Sequence, residues 1–406
     1  MKRSWFLRSG LATLFSLLTV LPGFAAQALK IGLVDTYTGP PAAYTNDVRD
    51  AFTMAMDKIN AAGGIAGRKV EILTRDDKFK VDVGLAAAKE LVMKEEVDLL
   101  MGTINSALTL AISEFSKKEK IPFLVTFAKS DNITGADGHR YVFSMNENTA
   151  MAGKAAAIGL AKKPYTKYWI AGDDYEYGHA IADEVWNNLQ KLKPGVKLLG
   201  QSWWKVGEPD FTPYISAIAA AKPDCVIVCT GGRGNVPFLK AANATGFYKQ
   251  IPFYMHTSTE LATLKPLGLE APEGVLGTSN YHFYYPDTAA NKAFVKEFKD
   301  RFKREPSVGA LYGYITAHFI EQAYKKAGKI EREKFVDALE GMTVASPVGN
   351  VTLRAYDHQV VLPMFMGVTK KSPEHPFLIA SEITTIPGEQ LMPSVDDIKK
   401  ARAAKK

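Results

Sequence analysis

The stretch LLMGTINSALTLAIS, residues 99–113, decides how the chain is read. Leu99 to Met101 form a short apolar run that stops at Gly102, and Leu108, Ile112 and Phe115 then recur at helical spacing. That is a strand turning into a helix. Thr103, Asn105 and Ser106 supply hydroxyl and amide groups at the turn. A helix N-terminus there leaves backbone N–H groups unpaired and carries partial positive charge, and small polar side chains beside it complete a cup for an anion.

Outward from this turn the same alternation repeats. KIGLVDT is followed by the helix-like DVRDAFTMAMDKINAAGG, with Ala51, Met54, Ala55 and Ile59 on one face. KVEIL, a helix near 84–94, the quoted turn and IPFLVTF complete a first set. This β-α-β order predicts a mostly parallel sheet with helices on both faces. The rhythm restarts after Phe143 with KYWIAG, a helix over 178–192, VKLLGQSWW, a helix over 213–221, CVIVCT, a helix over 235–245 and IPFYMH. Two α/β lobes of similar size follow. From residue 275 the chain adds GVLGTS, helices near 288–303, 308–327 and 331–341, and the strand-like VGNVTL, VVLPMFMGV and PFLIASEI. These are too many pieces for a third domain and are expected to be shared between the lobes.

The N-terminus reads as an address. Lys2, Arg3 and Arg8 precede an apolar core, Leu11 to Val20, and Ala26-Gln27-Ala28 or Gly23-Phe24-Ala25 offers a cleavage site. This is the pattern of a secretory signal peptide, and the apolar run is shorter than the roughly 20 residues of a spanning helix. No cysteine follows the core, so the mature protein is not expected to be a lipoprotein. Removing residues 1–28 lowers the net charge of +7 by three, to +4. Lys399, Lys400, Arg402, Lys405 and Lys406 crowd the other end and are expected to form a solvated tail rather than a grip on nucleic acid. Cys225 and Cys229 share the strand-like DCVIVCT, which would hold them about 13 Å apart, too far for a disulfide. Both are expected to be buried thiols.

Enzyme signatures are missing. H-E-x-x-H, C-x-x-C, G-x-S-x-G and a Walker loop do not occur, and the closest histidines, His358 and His375, are 17 residues apart. No metal, cofactor or catalytic residue is expected. Gly231-Gly232-Arg233-Gly234 lacks the third glycine of a dinucleotide loop, where Pro237 stands, and reads as a tight turn. What remains is a set of polar and aromatic residues at strand C-terminal ends, where ligands of open α/β sheets collect. They are Tyr37 and Tyr44, Ser106, Phe127 to Ser130, Tyr175 and Tyr177, Thr230 to Arg233 including Gly231, and His256 to Ser258.

With these residues assembled, the chain resembles the leucine/isoleucine/valine-binding family, the substrate-binding proteins of branched-chain amino acid ABC transporters. The likeness rests on IGLVDTYTGPPAAYTNDVRDAFTMAMDKINAAGGIAGRKVEIL, MGTINS, IPFLVTFAKSDNIT, DYEYGHAIADEV, APEGVLGT and AHFIEQAYKKAG. It implies an α/β type I periplasmic binding fold, two Rossmann-like lobes with parallel sheets joined by a three-strand hinge, which close over a small solute. The expected boundaries are 1–28 for the signal peptide, 29–146 plus 281–350 for the N-terminal lobe, 147–280 plus 351–398 for the C-terminal lobe and 399–406 for the tail. The resemblance also implies a periplasmic monomer that serves an inner-membrane ABC permease and binds no nucleic acid.

Residue by residue, Ser106 matches the family's carboxylate site, and Phe127, Ala128 and Lys129 match the loop that shares it. Tyr44 and Tyr177 match positions that pack on the ligand. Where amino-acid binders have a small hydroxyl residue this chain has Lys129, and where they place an acid for the ligand ammonium the spacing gives Ser258, with Glu260 two residues on. Two readings therefore stand side by side, a branched-chain or related amino acid and an amine-free aromatic or aliphatic carboxylate, with urea or a short amide as a third. Tyr37, Tyr175, Gly231, Arg233 and His256 are further candidates for the lining. A ligand-sensing module for a receptor or regulator is the rival class.

Overall fold

In the computed structural model the described residues are Met1, 27–39 and 41–405, so the expected signal peptide falls largely outside them. The chain begins with β1 (Leu29–Asp35), α1 (Ala42–Ala61), β2 (Val70–Asp76), α2 (Val81–Met93), β3 (Leu99–Gly102), α3 (Ser106–Glu119), β4 (Phe123–Val125) and β5 (Val142–Ser144). It continues through α4 (Thr149–Ala161), β6 (Lys167–Asp173), α5 (Glu176–Leu192), β7 (Lys197–Trp204), α6 (Thr212–Ala221) and β8 (Cys225–Cys229). Next come α7 (Gly232–Ala244), α8 (Phe247–Gln250), β9 (Phe253–Met255), α9 (Leu261–Leu267) and β10 (Leu276–Ser279). Then follow α10 (Ala289–Phe302), α11 (Val308–Ala327), α12 (Arg332–Leu339), β11 (Thr343–Ser346), β12 (Gly349–Leu353) and β13 (Val360–Val361). The chain ends with β14 (Met364–Lys370), β15 (Ile379–Ile386) and α13 (Val395–Ala404).

These elements build two lobes around two sheets. The first sheet has the order β2-β1-β3-β4-β5 and is parallel throughout. The second has the order β15-β14-β10-β9-β8-β6-β7, with only β14 running against its neighbours. The strand order reverses between β1 and β3 and again between β6 and β8, which places a crevice at the C-terminal ends of both pairs.

Each sheet is covered on both faces. On the first, Tyr44, Val48, Ala51, Phe52, Ala55 and Ile59 of α1 share a core with α11 and α12, and Ala88, Leu91, Leu108 and Ile112 of α2 and α3 pack on the other side. Burial of each large apolar side chain contributes roughly 1.5–3 kcal/mol. Helix α11 lies close against α1 because of Gly309 and Gly313. A Cβ on Gly313 would fall 2.1 Å from the Val48 carbonyl oxygen, so any other residue there would force the helices apart.

Three segments cross between the lobes: residues 145–148, residues 280–288, and Leu362 with Pro363. The third lies later than the boundary at 350 read from the sequence. Val351, Leu353, Val360 and Leu362 belong to the core of the first lobe, whereas Met364 and Met366 belong to the second. The basic tail also differs from expectation. It forms α13, and Arg402 donates to the carbonyls of Gly135 and Thr134 at 3.0 and 3.1 Å while Lys405 pairs with Asp137. Leu391, just before it, is buried in the second-lobe core, so the C-terminus bridges both lobes beside the hinge. Both cysteines are buried free thiols.

Candidate functional site

The first-lobe wall is built on the turn into α3. Asn105 caps the helix, its side-chain oxygen accepting from the backbone N–H of Ala107 at 3.0 Å and Leu108 at 3.2 Å. Asp35 Oδ1, at the end of β1, accepts from Ile104 N at 2.9 Å and ties the turn to the sheet. Ser106 is thus the first residue of a fixed helix N-terminus, half-buried, with its Oγ 3.4 Å from the N–H of Ser130. Phe127 and Ala128 follow β4 and are buried. The Tyr44 ring lies 5.1 Å from that of Phe127, which in turn meets Tyr312 edge-on at 5.4 Å. Tyr37 sits behind this wall, its ring 4.9 Å from the Arg49 guanidinium.

The second-lobe wall carries Tyr175, Tyr177 and Glu260. The two tyrosine rings are 6.0 Å apart, with Tyr177 the more buried. Gly231 faces the Tyr175 hydroxyl so closely that a Cβ there would lie 2.4 Å from it. Its N–H donates to Asp173 at 3.0 Å, and Trp204 Nε1 donates to the same carboxylate at 2.9 Å. The tight turn expected at Gly231–Gly234 is instead the N-terminus of α7; the Arg233 side chain lies outside the described residues.

The turn after β9 separates three neighbours. Thr257 has φ +67°, and the N–H groups of Ser258 and Glu260 bond the carbonyls of Met255 and Thr257 at 3.1 Å, so the segment is a turn rather than extended. Ser258 Oγ donates to the Leu276 carbonyl at 3.2 Å, behind the wall. His256 is buried against Thr278, 3.0 Å from its hydroxyl, and burial holds its imidazole down at about 4, hence neutral. Glu260 stands at the N-cap position of α9 without capping it and is 4% exposed. The hydroxyls of Tyr44, across the cleft, and of Ser279 lie near its carboxyl and favour its ionised form. Burial pushes that carboxyl up to about 8, opposed by Lys129 and reinforced by Glu147.

The floor is a charge network at the hinge. Lys129 Nζ lies 2.5 Å from Glu147 Oε1 and 3.3 Å from the Tyr312 hydroxyl. Its ammonium is 4.5 and 4.9 Å from the ring centroids of Phe127 and Tyr312, within the range of cation–π attraction. The Tyr312 hydroxyl donates to Glu147 Oε2 and lies 2.9 Å from Asn280 Oδ1. Glu147 and Asn280 sit on two of the crossing segments, so this network joins the lobes where they pivot.

The structure therefore brings Tyr44, Ser106, Phe127, Lys129 and Glu260 around one cleft and turns Ser258 away from it. Glu147, Tyr312 and Asn280 were not singled out from the sequence. Glu147 follows a three-residue strand, and Tyr312 lies within a nearly continuous apolar helix.

A model of the periplasmic binding protein family matches residues 28–373. The chain is 26% identical over 384 residues to Leu/Ile/Val-binding protein homolog 4 of Brucella melitensis, covering 90% of each chain. The leucine-, isoleucine-, valine-, threonine- and alanine-binding protein of Brucella ovis, in its closed conformation, is similar with a TM-score of 0.81 at 24% identity, over 91% of this chain and 98% of the other. A solute-binding protein of an ABC transporter from Rhodopseudomonas palustris in complex with 3,4-dihydroxybenzoic acid gives 0.79 at 22% identity, over 89% and 98%. With two α/β lobes about a charged cleft and a family match over most of its length, the chain belongs to the periplasmic binding protein family.

Proposed function

We propose that the protein captures a hydrophobic amino acid, branched-chain or related, between its lobes and delivers it to an inner-membrane ABC permease. The ligand carboxylate would sit at the N-terminus of α3 on Ser106 and the Phe127–Ser130 loop, its ammonium on Glu260, and its side chain among Tyr44, Phe127 and Tyr177. The observation that carries this reading is charge balance. Lys129 is matched by Glu147 at 2.5 Å, which leaves Glu260 as a buried carboxyl that, among the described residues, has no cation within ion-pair distance. A buried acid without a counter-charge costs several kcal/mol when ionised, and a ligand ammonium supplies the missing charge. The protein would act as a monomer in the periplasm, its signal peptide cleaved near Ala25 to Ala28.

A second reading, an amine-free aromatic carboxylate, draws support from the rings of Phe127 and Tyr312 about the Lys129 ammonium. Fold neighbours have been crystallised with 3,4-dihydroxybenzoic acid and with benzoate. The test is the thermal stability of the mature protein, freed of carried-over ligand by unfolding and refolding, against amino acids and amine-free acids. A ligand at 100 times its dissociation constant adds about 2.7 kcal/mol and raises the midpoint. A shift with leucine or its relatives supports the first reading, and a shift confined to benzoates or other amine-free acids replaces it with the second.

A further inference from the structure

One ammonium and one buried carboxylate pair on the cleft floor at 2.5 Å, a second buried acid, Glu260, stands on the wall above them, and the two acids are not equivalent. Both oxygens of Glu147 are engaged, Oε1 by Lys129 and Oε2 by the Tyr312 hydroxyl. Glu147 is 2% exposed, and its backbone carbonyl accepts from Asn146 Nδ2 at 2.7 Å, so the acid is fixed at the hinge. Lys129 comes from a loop of the first lobe and Glu260 from the second, yet the Lys129 ammonium, seated over the Phe127 ring that packs on Tyr44, lies near enough to favour the ionised form of Glu260. One flexible ammonium thus lies within influence of two acids, and Glu147 is the acid that holds it.

We propose that Glu147 is a specificity-determining residue that acts through Lys129. By holding that ammonium at the hinge, it keeps Glu260 open to a cationic group on the solute. The inference rests on the amino-acid reading above. Without the Glu147 charge, Lys129 has Glu260 as its remaining carboxylate. A tethered ammonium competes at an effective concentration of roughly millimolar or above, and a solute ammonium loses to it. The cleft would then favour acids that carry no amine.

The test uses leucine and 4-methylpentanoate, which share a carbon skeleton and carboxylate and differ in the amine. Affinities are measured by calorimetry on the mature wild type, Glu147→Gln, Lys129→Met and the double variant. The wild type is expected to prefer leucine. Glu147→Gln should weaken leucine by roughly tenfold or more and leave 4-methylpentanoate unchanged or tighter, because the effect is electrostatic. The double variant removes the competing ammonium and should restore the leucine preference, a rescue that a merely structural role of Glu147 would not produce.

A wild-type leucine preference with a ratio in Glu147→Gln that stays within about twofold of it overturns this inference alone. So does a double variant that fails to regain the preference. A wild type that prefers 4-methylpentanoate overturns the amino-acid reading and this inference with it. If Glu147→Gln does not fold, Lys129→Met decides: a retained leucine preference supports the inference, and its loss overturns it.

Discussion

The two walls of the cleft differ in what they offer a ligand. The first lobe presents a capped helix N-terminus, Ser106 and the loop after β4, all suited to negative charge. The second presents a buried acid, Glu260, beside Tyr177, suited to positive charge on an apolar body. A solute with separated charges engages both walls, and its contacts with both favour the closed arrangement by their full sum. A solute with one charge engages one wall strongly and leaves the other unbalanced.

The largest expected effect comes from breaking the second wall. Glu260→Gln should cost an amino-acid ligand about 3–5 kcal/mol, the range for removing one partner of a buried ion pair, and an amine-free acid far less. Calorimetry with leucine and 4-methylpentanoate measures the contrast, and equal losses would remove Glu260 from the ammonium site. The same wall can be probed by pH. In the ligand-free cleft burial raises the Glu260 carboxyl to about 8, so at pH 7 it is mostly protonated. An ammonium needs the carboxylate, so binding releases this proton, and leucine affinity should rise about tenfold per pH unit toward 8 and then level off. Heats measured in buffers of different ionisation enthalpy count the proton directly. An amine-free acid has no reason to release it.

The contrast between walls also explains what the sequence revealed and what it hid. The first wall was legible because it is local: strand, glycine, polar turn and helix are contiguous between Leu99 and Ser113, and Ser106 falls where helix-end chemistry puts it. The second wall depends on a tight turn. An extended segment over residues 256–260 would put Ser258 and Glu260 on the same side, whereas the N–H of Glu260 bonds the Thr257 carbonyl at 3.1 Å and turns the chain between them. Helix α4 escaped notice for another reason. Its Ala-rich sequence is buried nearly all round, so it shows no amphipathic stripe, and Gly153 and Gly159, which sit where a Cβ would strike Glu184 and Met366, interrupt the helix-favouring alanines. Glu147 and Tyr312 are far apart in sequence and meet only through the crossing segments, a relation that no spacing encodes. The C-terminal helix was misjudged because its charges looked like a solvated run, whereas Arg402 and Lys405 are matched to carbonyls and to Asp137 of the first lobe.

A smaller effect is expected at the first wall. Ser106→Ala removes one donor to the ligand carboxylate and should cost roughly 1.5–3 kcal/mol, the range for hydrogen bonds to charged groups. Both leucine and 4-methylpentanoate carry that carboxylate, so both should weaken equally. A loss confined to one of them would mean that the two acids sit differently in the cleft.

The smallest predicted effect separates closure from recognition. Tyr44 stands on α1 of the first lobe, and its hydroxyl lies close enough to Glu260 and Thr263 of the second to interact with both, so it can link the walls without a ligand between them. Lys265 on α9 makes a more exposed link of the same kind, 3.0 Å from Glu305 of the first lobe. Tyr44→Phe keeps the ring against Phe127 and deletes only the hydroxyl, a net change of about 0.5–1.5 kcal/mol for a neutral hydrogen bond. If the hydroxyl acts on the closing equilibrium, its loss weakens every ligand by the same factor, because the closed state is destabilised whatever fills it. If it instead positions the Glu260 carboxyl for an ammonium, leucine weakens and 4-methylpentanoate does not. Calorimetric affinities of Tyr44→Phe for both acids therefore tell whether the two walls are coupled through the ligand alone or also through each other, and the approach of the Tyr44 hydroxyl to the second lobe predicts the equal loss.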